Sequence, residues 1–185
     1  FDRSSEPIRS SWVSDGGAWY YVGADGLMCT GWKRIGPSWY YFDASGAMAT
    51  GWRRVDGSWS FFAPSGQMRT GWVFDGGSWY WIDPSGRMQV GWQRVDGSWY
   101  YLGTDGAMAT GWLRQGGTWY WLGSSGAMAT GWQKVAGEWY YLDINGAMVT
   151  GWIGDYYLKP NGAMVFNERI DGYWLGANGK WIPGT

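Results

Sequence analysis

Three residue series run through this 185-residue sequence with a step of twenty, and each could act through an aromatic or thioether surface rather than a titratable group. Trp12, Trp32, Trp52, Trp72, Trp92, Trp112, Trp132 and Trp152 form the first, all but Trp12 preceded by Gly. Trp19, Trp39, Trp59, Trp79, Trp99, Trp119 and Trp139 form the second. Met28, Met48, Met68, Met88, Met108, Met128 and Met148 form the third, with Met164 four residues early because the eighth unit is shortened. Two Trp from one unit and a Tyr from the next would make a three-walled box with no charge inside. The π faces present negative potential and the walls are apolar, so the ligand that suits both is a weakly hydrated cation, a quaternary ammonium. A Lys or Arg head group carries a larger desolvation cost in the same box.

Composition narrows the alternatives. With 19 Trp and 33 Gly but no His and one Cys, the chain cannot build a His-dependent triad, a His/Cys zinc site or an internal disulfide. Fourteen Lys and Arg balance fifteen Asp and Glu, and a net charge of −1 offers no basic footprint for nucleic acid. No apolar run approaches the roughly 18 residues that insertion in a membrane would need. The carboxylates stand mostly beside Gly in expected turns, where Asp bonds its own backbone, and nothing marks a raised-pKa acid. Cys29 occupies a position where other units carry Ala, Val, Arg or Gln, and reads as a tolerated small residue. The chain starts at Phe1 and is expected to be a mature form or an excised piece of something longer.

The elements that position these residues are short strands. Asp56-Gly57 and Asp96-Gly97 each separate two aromatic runs, the favoured two-residue hairpin turn because both central residues accept positive φ. A second polar turn with Gly, such as Thr104-Asp105-Gly106 or Asn145-Gly146, sends the chain to the next hairpin. One hairpin alone is marginal in water, so each must lean on its neighbours, and the expected architecture is an all-β solenoid of about nine tandem hairpins. Leu, Ile and Val are sparse, so no conventional aliphatic core is expected. Residues 1–11 read as linker, 12–150 as seven full repeats, and 151–185 as shortened and degenerate capping repeats.

Large aromatics could simply be that core. Two features favour a binding role: both Trp series stay Trp where packing alone would accept Leu or Val, and strand alternation separates the middle Tyr of each triplet from its neighbours. The last aromatic of the triplet (Tyr41, Trp81, Tyr101, Trp121, Tyr141) is the other candidate for the third wall.

The unit Gly131-Trp132-Gln133-Lys134-Val135-Ala136-Gly137-Glu138-Trp139-Tyr140-Tyr141-Leu142-Asp143-Ile144-Asn145-Gly146-Ala147-Met148 resembles the choline-binding (cell-wall-binding) repeat of Gram-positive surface proteins, autolysins and phage lysins. The resemblance extends over about residues 12–181. It implies a left-handed β-solenoid, about three hairpins per turn, that holds choline or phosphocholine between successive hairpins and needs no cofactor. It further implies a secreted, non-catalytic module at the cell wall that binds choline-decorated teichoic acids and anchors an enzyme or adhesin, with a homodimer through the terminal repeats as in family members. Carried over by motif, the choline boxes are Trp12, Trp19 and Tyr40; Trp52, Trp59 and Tyr80; Trp72, Trp79 and Tyr100; Trp92, Trp99 and Tyr120; Trp112, Trp119 and Tyr140; and Trp132, Trp139 and Tyr156. The loop Met closes the side of each box in the family. Where Trp32 and Trp39 meet Ser60, and after Trp152, where Asp155 replaces the second Trp, the boxes are expected to be weak or empty. A glucan- or glycan-binding repeat is the alternative, since aromatic platforms also stack on sugar rings.

Overall fold

The computed structural model describes residues 8–183, and it contains strands and turns with no helix among them. Residues 1–7 of the expected linker, and residues 184–185 of the expected cap, lie outside the described part. The chain divides into two compact units. The first holds Phe1–Val90 with Thr104–Ala107, and the second holds Gly91–Gly103 with Met108–Thr185.

The first unit contains four antiparallel hairpins: β1 (Ser11–Asp15) with β2 (Ala18–Val22), β3 (Gly31–Ile35) with β4 (Ser38–Phe42), β5 (Gly51–Val55) with β6 (Ser58–Phe62), and β7 (Gly71–Asp75) with β8 (Ser78–Ile82). The second contains β9 (Gly91–Val95) with β10 (Ser98–Leu102), β11 (Gly111–Gln115) with β12 (Thr118–Leu122), β13 (Gly131–Val135) with β14 (Glu138–Leu142), β15 (Gly151–Ile153) with β16 (Tyr156–Leu158), and β17 (Glu168–Ile170) with β18 (Tyr173–Leu175). Each sheet has two strands.

Turn chemistry sets the register. Val55 pairs with Ser58, leaving Asp56 and Gly57 at φ 50° and 80°, the mirror-image type I turn whose twist matches the flanking strands. Gly36 carries φ 60° ahead of Pro37, which cannot follow it into positive φ, so that hairpin turns on the type II′ pattern instead.

A two-stranded sheet needs support, and the methionine backbone supplies it twice. In the first unit Met88 bridges Ile82 of its own hairpin, and its N–H donates to the Trp59 carbonyl of the preceding one at 2.8 Å. Met48 to Trp19 (2.7 Å) and Met68 to Trp39 (2.8 Å) repeat the link. In the second unit Met128 to Trp99, Met148 to Trp119 and Met164 to Trp139 do the same.

The core differs from the expectation. The last residue of the second strand is fully buried in hairpin after hairpin: Phe42, Phe62 and Ile82 in the first unit, and Leu102, Leu122, Leu142, Leu158 and Leu175 in the second, all at 0% exposure. One such side chain per hairpin, contributing about 1.5–3 kcal/mol, is a core that composition alone does not reveal. The second-series Trp are the reverse, 39–49% exposed.

Candidate functional site

From β1–β2 to β15–β16 each strand pair presents its first Trp beside the last aromatic of its own hairpin, whereas β17–β18 has Arg169 opposite Trp174. Trp72 and Trp81, Trp92 and Tyr101, Trp112 and Trp121, and Trp132 and Tyr141 are cross-strand partners with ring centres 5.1–5.3 Å apart. Tyr41 stands against Trp32 in the same way, at 5.3 Å. These residues back the first Trp from within its own sheet. The middle Tyr points elsewhere, as the two-residue alternation of a strand requires.

In the first unit Trp52, Trp59, Tyr80 and Met88 enclose a cleft of about 370 Å³ with Asp105 at its mouth. Trp52 and Tyr80 meet edge to face at 4.8 Å, and the Trp52 indole N–H donates to Asp75 Oδ2 at 3.1 Å, which fixes the ring from outside the cleft. Trp12 and Tyr40 are also brought together, at 5.0 Å, while Trp19 stands exposed on the same hairpin as Trp12. Trp72 and Trp79 are 6.5 Å apart and nearly perpendicular at 89°, and Tyr100 belongs to the second unit. Trp32 and Trp39 keep the same corner, 6.4 Å and 87°, but the middle position holds Ser60, 3% exposed.

The second unit repeats the cleft three times. Trp92, Trp99, Tyr120 and Met128 line about 350 Å³, with Ile144 and Asn145 at the mouth. Trp112, Trp119, Tyr140 and Met148 line about 260 Å³, with Pro160 and Asn161. Trp132, Trp139, Tyr156 and Met164 line about 410 Å³, with Asn178. Trp pairs stand 6.3–6.5 Å apart at 84–87°, and each first Trp meets the following Tyr at 4.8–5.0 Å. At the end of the chain Trp152 meets Tyr173 at 5.7 Å and Tyr173 meets Trp181 at 5.6 Å, with the Trp181 N–H on the Asp155 carbonyl where a Met N–H would meet a Trp.

Sequence reasoning placed the Trp pair and the Tyr in successive hairpins but missed the contribution of the unit beyond. Each cleft takes its mouth from a third repeat, through the residue before the loop Gly. That position is polar in every unit (Asp25, Ser45, Ser65, Ser85, Asp105, Ser125, Asn145, Asn161, Asn178), which was the available signal. The Gly itself is required twice over. Gly106, Gly146 and Gly162 have φ of 80–86°, and a Cβ there would collide with the Sδ of Met88, Met128 and Met148 respectively.

The charges stand around the walls and not among them. Arg114 lies 5.9 Å from the Trp119 ring centre and Lys134 lies 6.0 Å from that of Trp139. Loop carboxylates serve as braces: Asp43 is held below the usual carboxyl range chiefly by the Ser45 hydroxyl. Burial pushes Asp83 up, but hydrogen bonds from the Ser85 hydroxyl and the Arg87 and Ser85 N–H groups outweigh it and leave it lowered. A general acid needs the opposite shift. The arrangement can hold a small apolar cation against three ring faces and a thioether.

Models of a choline-binding repeat match residues 9–50, 29–62, 49–90 and 89–130, a further one matches 151–181, and a putative cell wall binding repeat matches 130–148. Among solved structures, CbpJ from Streptococcus pneumoniae is 39% identical with a TM-score of 0.83, over 89% of this chain and 62% of that one. Choline binding protein F from Streptococcus pneumoniae, solved with a peptidoglycan analogue, is 39% identical with a TM-score of 0.80, over 89% and 61%. The chain thus spans about three fifths of the length of these two. The choline-binding domain of CbpL from Streptococcus pneumoniae is 34% identical with a TM-score of 0.73, over 95% and 98%. A comparison with curated proteins gave no match.

Proposed function

This chain belongs to the choline-binding repeat family, and from that premise we propose that it is a non-catalytic module that attaches a secreted protein to the bacterial cell wall by holding the choline of teichoic acids in its aromatic clefts. The observation that carries this reading is the recurrence of one cleft at four places among the described residues: two Trp, perpendicular in the three clefts of the second unit, with a Tyr and a Met, open to solvent and uncharged on its walls. A quaternary ammonium there replaces weak hydration by several ring contacts, each worth on the order of 0.5–2 kcal/mol. Single clefts bind weakly, and a polymer carrying repeated choline groups gains through effective concentration.

The same reading has the hairpins of each unit winding as a solenoid, left-handed as in the family, so that successive clefts follow one another on a common surface. The ligand is choline or phosphocholine, and no cofactor takes part. Isothermal titration with choline, set beside elution from a choline resin, tests the proposal. Heat that saturates at several sites supports it, and absence of heat together with retention by a glycan array would replace it with sugar stacking.

A further inference from the structure

The four clefts share their walls but not their charge. Asp105 lines the mouth of the Trp52–Trp59–Tyr80 cleft and accepts the Ala107 N–H through Oδ1 at 3.0 Å, so the mouth carries a carboxylate charge. A second carboxylate, Asp75, stands behind Trp52. Two bases adjoin the cleft walls but are turned to backbone oxygens: Arg53 donates through Nη1 to the Trp52 carbonyl and Arg54, the cross-strand partner of Trp59, through Nε to the Gly57 carbonyl, both at 3.3 Å.

The Trp132–Trp139–Tyr156 cleft is the opposite case. Its mouth residue is Asn178, whose Oδ1 accepts the Lys180 N–H at 3.0 Å, so the amide N–H₂ is the group left to face a ligand. Lys134 Nζ lies 6.0 Å from the Trp139 ring centre and Lys180 Nζ lies 5.9 Å from that of Tyr156, the latter shared with Asp155 at 3.8 Å. One cleft therefore has a carboxylate at its mouth where the other has an amide, and the second has two ammonium groups over its rings, Lys134 and the Asp155-paired Lys180, where the arginines of the first are held by backbone carbonyls.

Building on the quaternary-ammonium reading, we propose that these clefts sort their ligands by charge. The Asp105 cleft takes the free alcohol, choline, and the Lys134 cleft takes its phosphate ester. The ammonium head is common to both ligands and sits against the rings. The phosphate hangs toward the mouth, where Asp105 repels it and Asn178, Lys134 and Lys180 attract it. A unit charge roughly 6–8 Å away in a solvent-exposed site changes affinity about three- to tenfold, and added salt erodes the difference. On a polymer of phosphate-linked choline, the Lys134 cleft fills first.

Crystals of the full chain soaked in concentration series of choline and of phosphocholine give the occupancy of each cleft separately. The expected result is a phosphocholine-to-choline preference that differs between the two clefts by about tenfold or more at low salt. Asp105→Asn should raise phosphocholine occupancy of the Trp52 cleft relative to choline by about three- to tenfold, and Lys134→Gln should lower it by a similar factor in the Trp132 cleft. Asn stands at the Asp105 position in three other units, so the first exchange keeps a loop the fold already uses. Equal preference in both clefts, or variants that leave the ratios unchanged, would overturn the sorting while leaving choline binding intact. Clefts empty of both ligands at saturation would remove the binding reading itself, and this inference with it.

Discussion

The Trp52 cleft and the neighbouring Trp32 position lie in one unit, on the same backbone, with different surfaces. Met88 donates to the Trp59 carbonyl and Met68 to the Trp39 carbonyl, both at 2.8 Å, and Phe62 and Ile82 close the two hairpins equally buried. Yet Tyr80 walls the first at 4.8 Å from Trp52, while Ser60 stands at the second, hidden from solvent. Losing a wall has not moved the scaffold. The turns, the buried column and the Met link build the repeat, while the exposed Trp and the middle Tyr form a separate layer that can vary without unfolding it.

Substitutions in the scaffold should therefore act on stability and substitutions in the wall on ligand. The largest effect is expected for Leu142→Ala, which empties a fully buried position and should cost about 2–5 kcal/mol. Chemical denaturation measures it, and a loss below about 1 kcal/mol would mean the buried column is not the core. Gly126→Ala comes next. It forces a Cβ into φ 81° and onto Met108, for about 1–2 kcal/mol from the backbone alone, with the collision added. A melting temperature equal to the parent's would refute the double demand on that glycine.

Tyr80→Ser converts the Trp52 cleft into the Trp32 arrangement and should weaken choline there about 2- to 30-fold with a smaller change in stability. Ser60→Tyr is the converse, and calorimetric stoichiometry should rise by one site. If it does not, the missing wall is not what distinguishes the two positions. The smallest effect concerns acid. The folded pKa of Asp83 lies below its ordinary value of 3.8, so its contribution is complete above that value and fades as pH falls through the folded one. Thermal melts of the parent and Asp83→Asn should differ slightly at neutral pH and converge in acid. A gap that widens on acidification would reverse the sign of that argument.

The walls were legible early because they repeat conspicuously. The buried column was not, since Phe42, Phe62, Ile82 and the later leucines are few in the composition and their meaning lies in the step of twenty. The mouth residues were hidden for another reason. Asp105 lies 46 residues beyond Trp59 in sequence, and nothing local to either residue links the two.

What the sequence determined by itself is therefore local: where the chain must turn, because Asp-Gly and Gly-Gly accept positive φ, and which strand faces carry aromatics, because side chains alternate. Tertiary structure alone decided what each cleft contains. A hairpin of two strands cannot bury its own faces, so it closes against the Met and Tyr of the next repeat and the loop of the one after. The chemistry at each mouth, carboxylate in one cleft and amide in others, follows from that stacking.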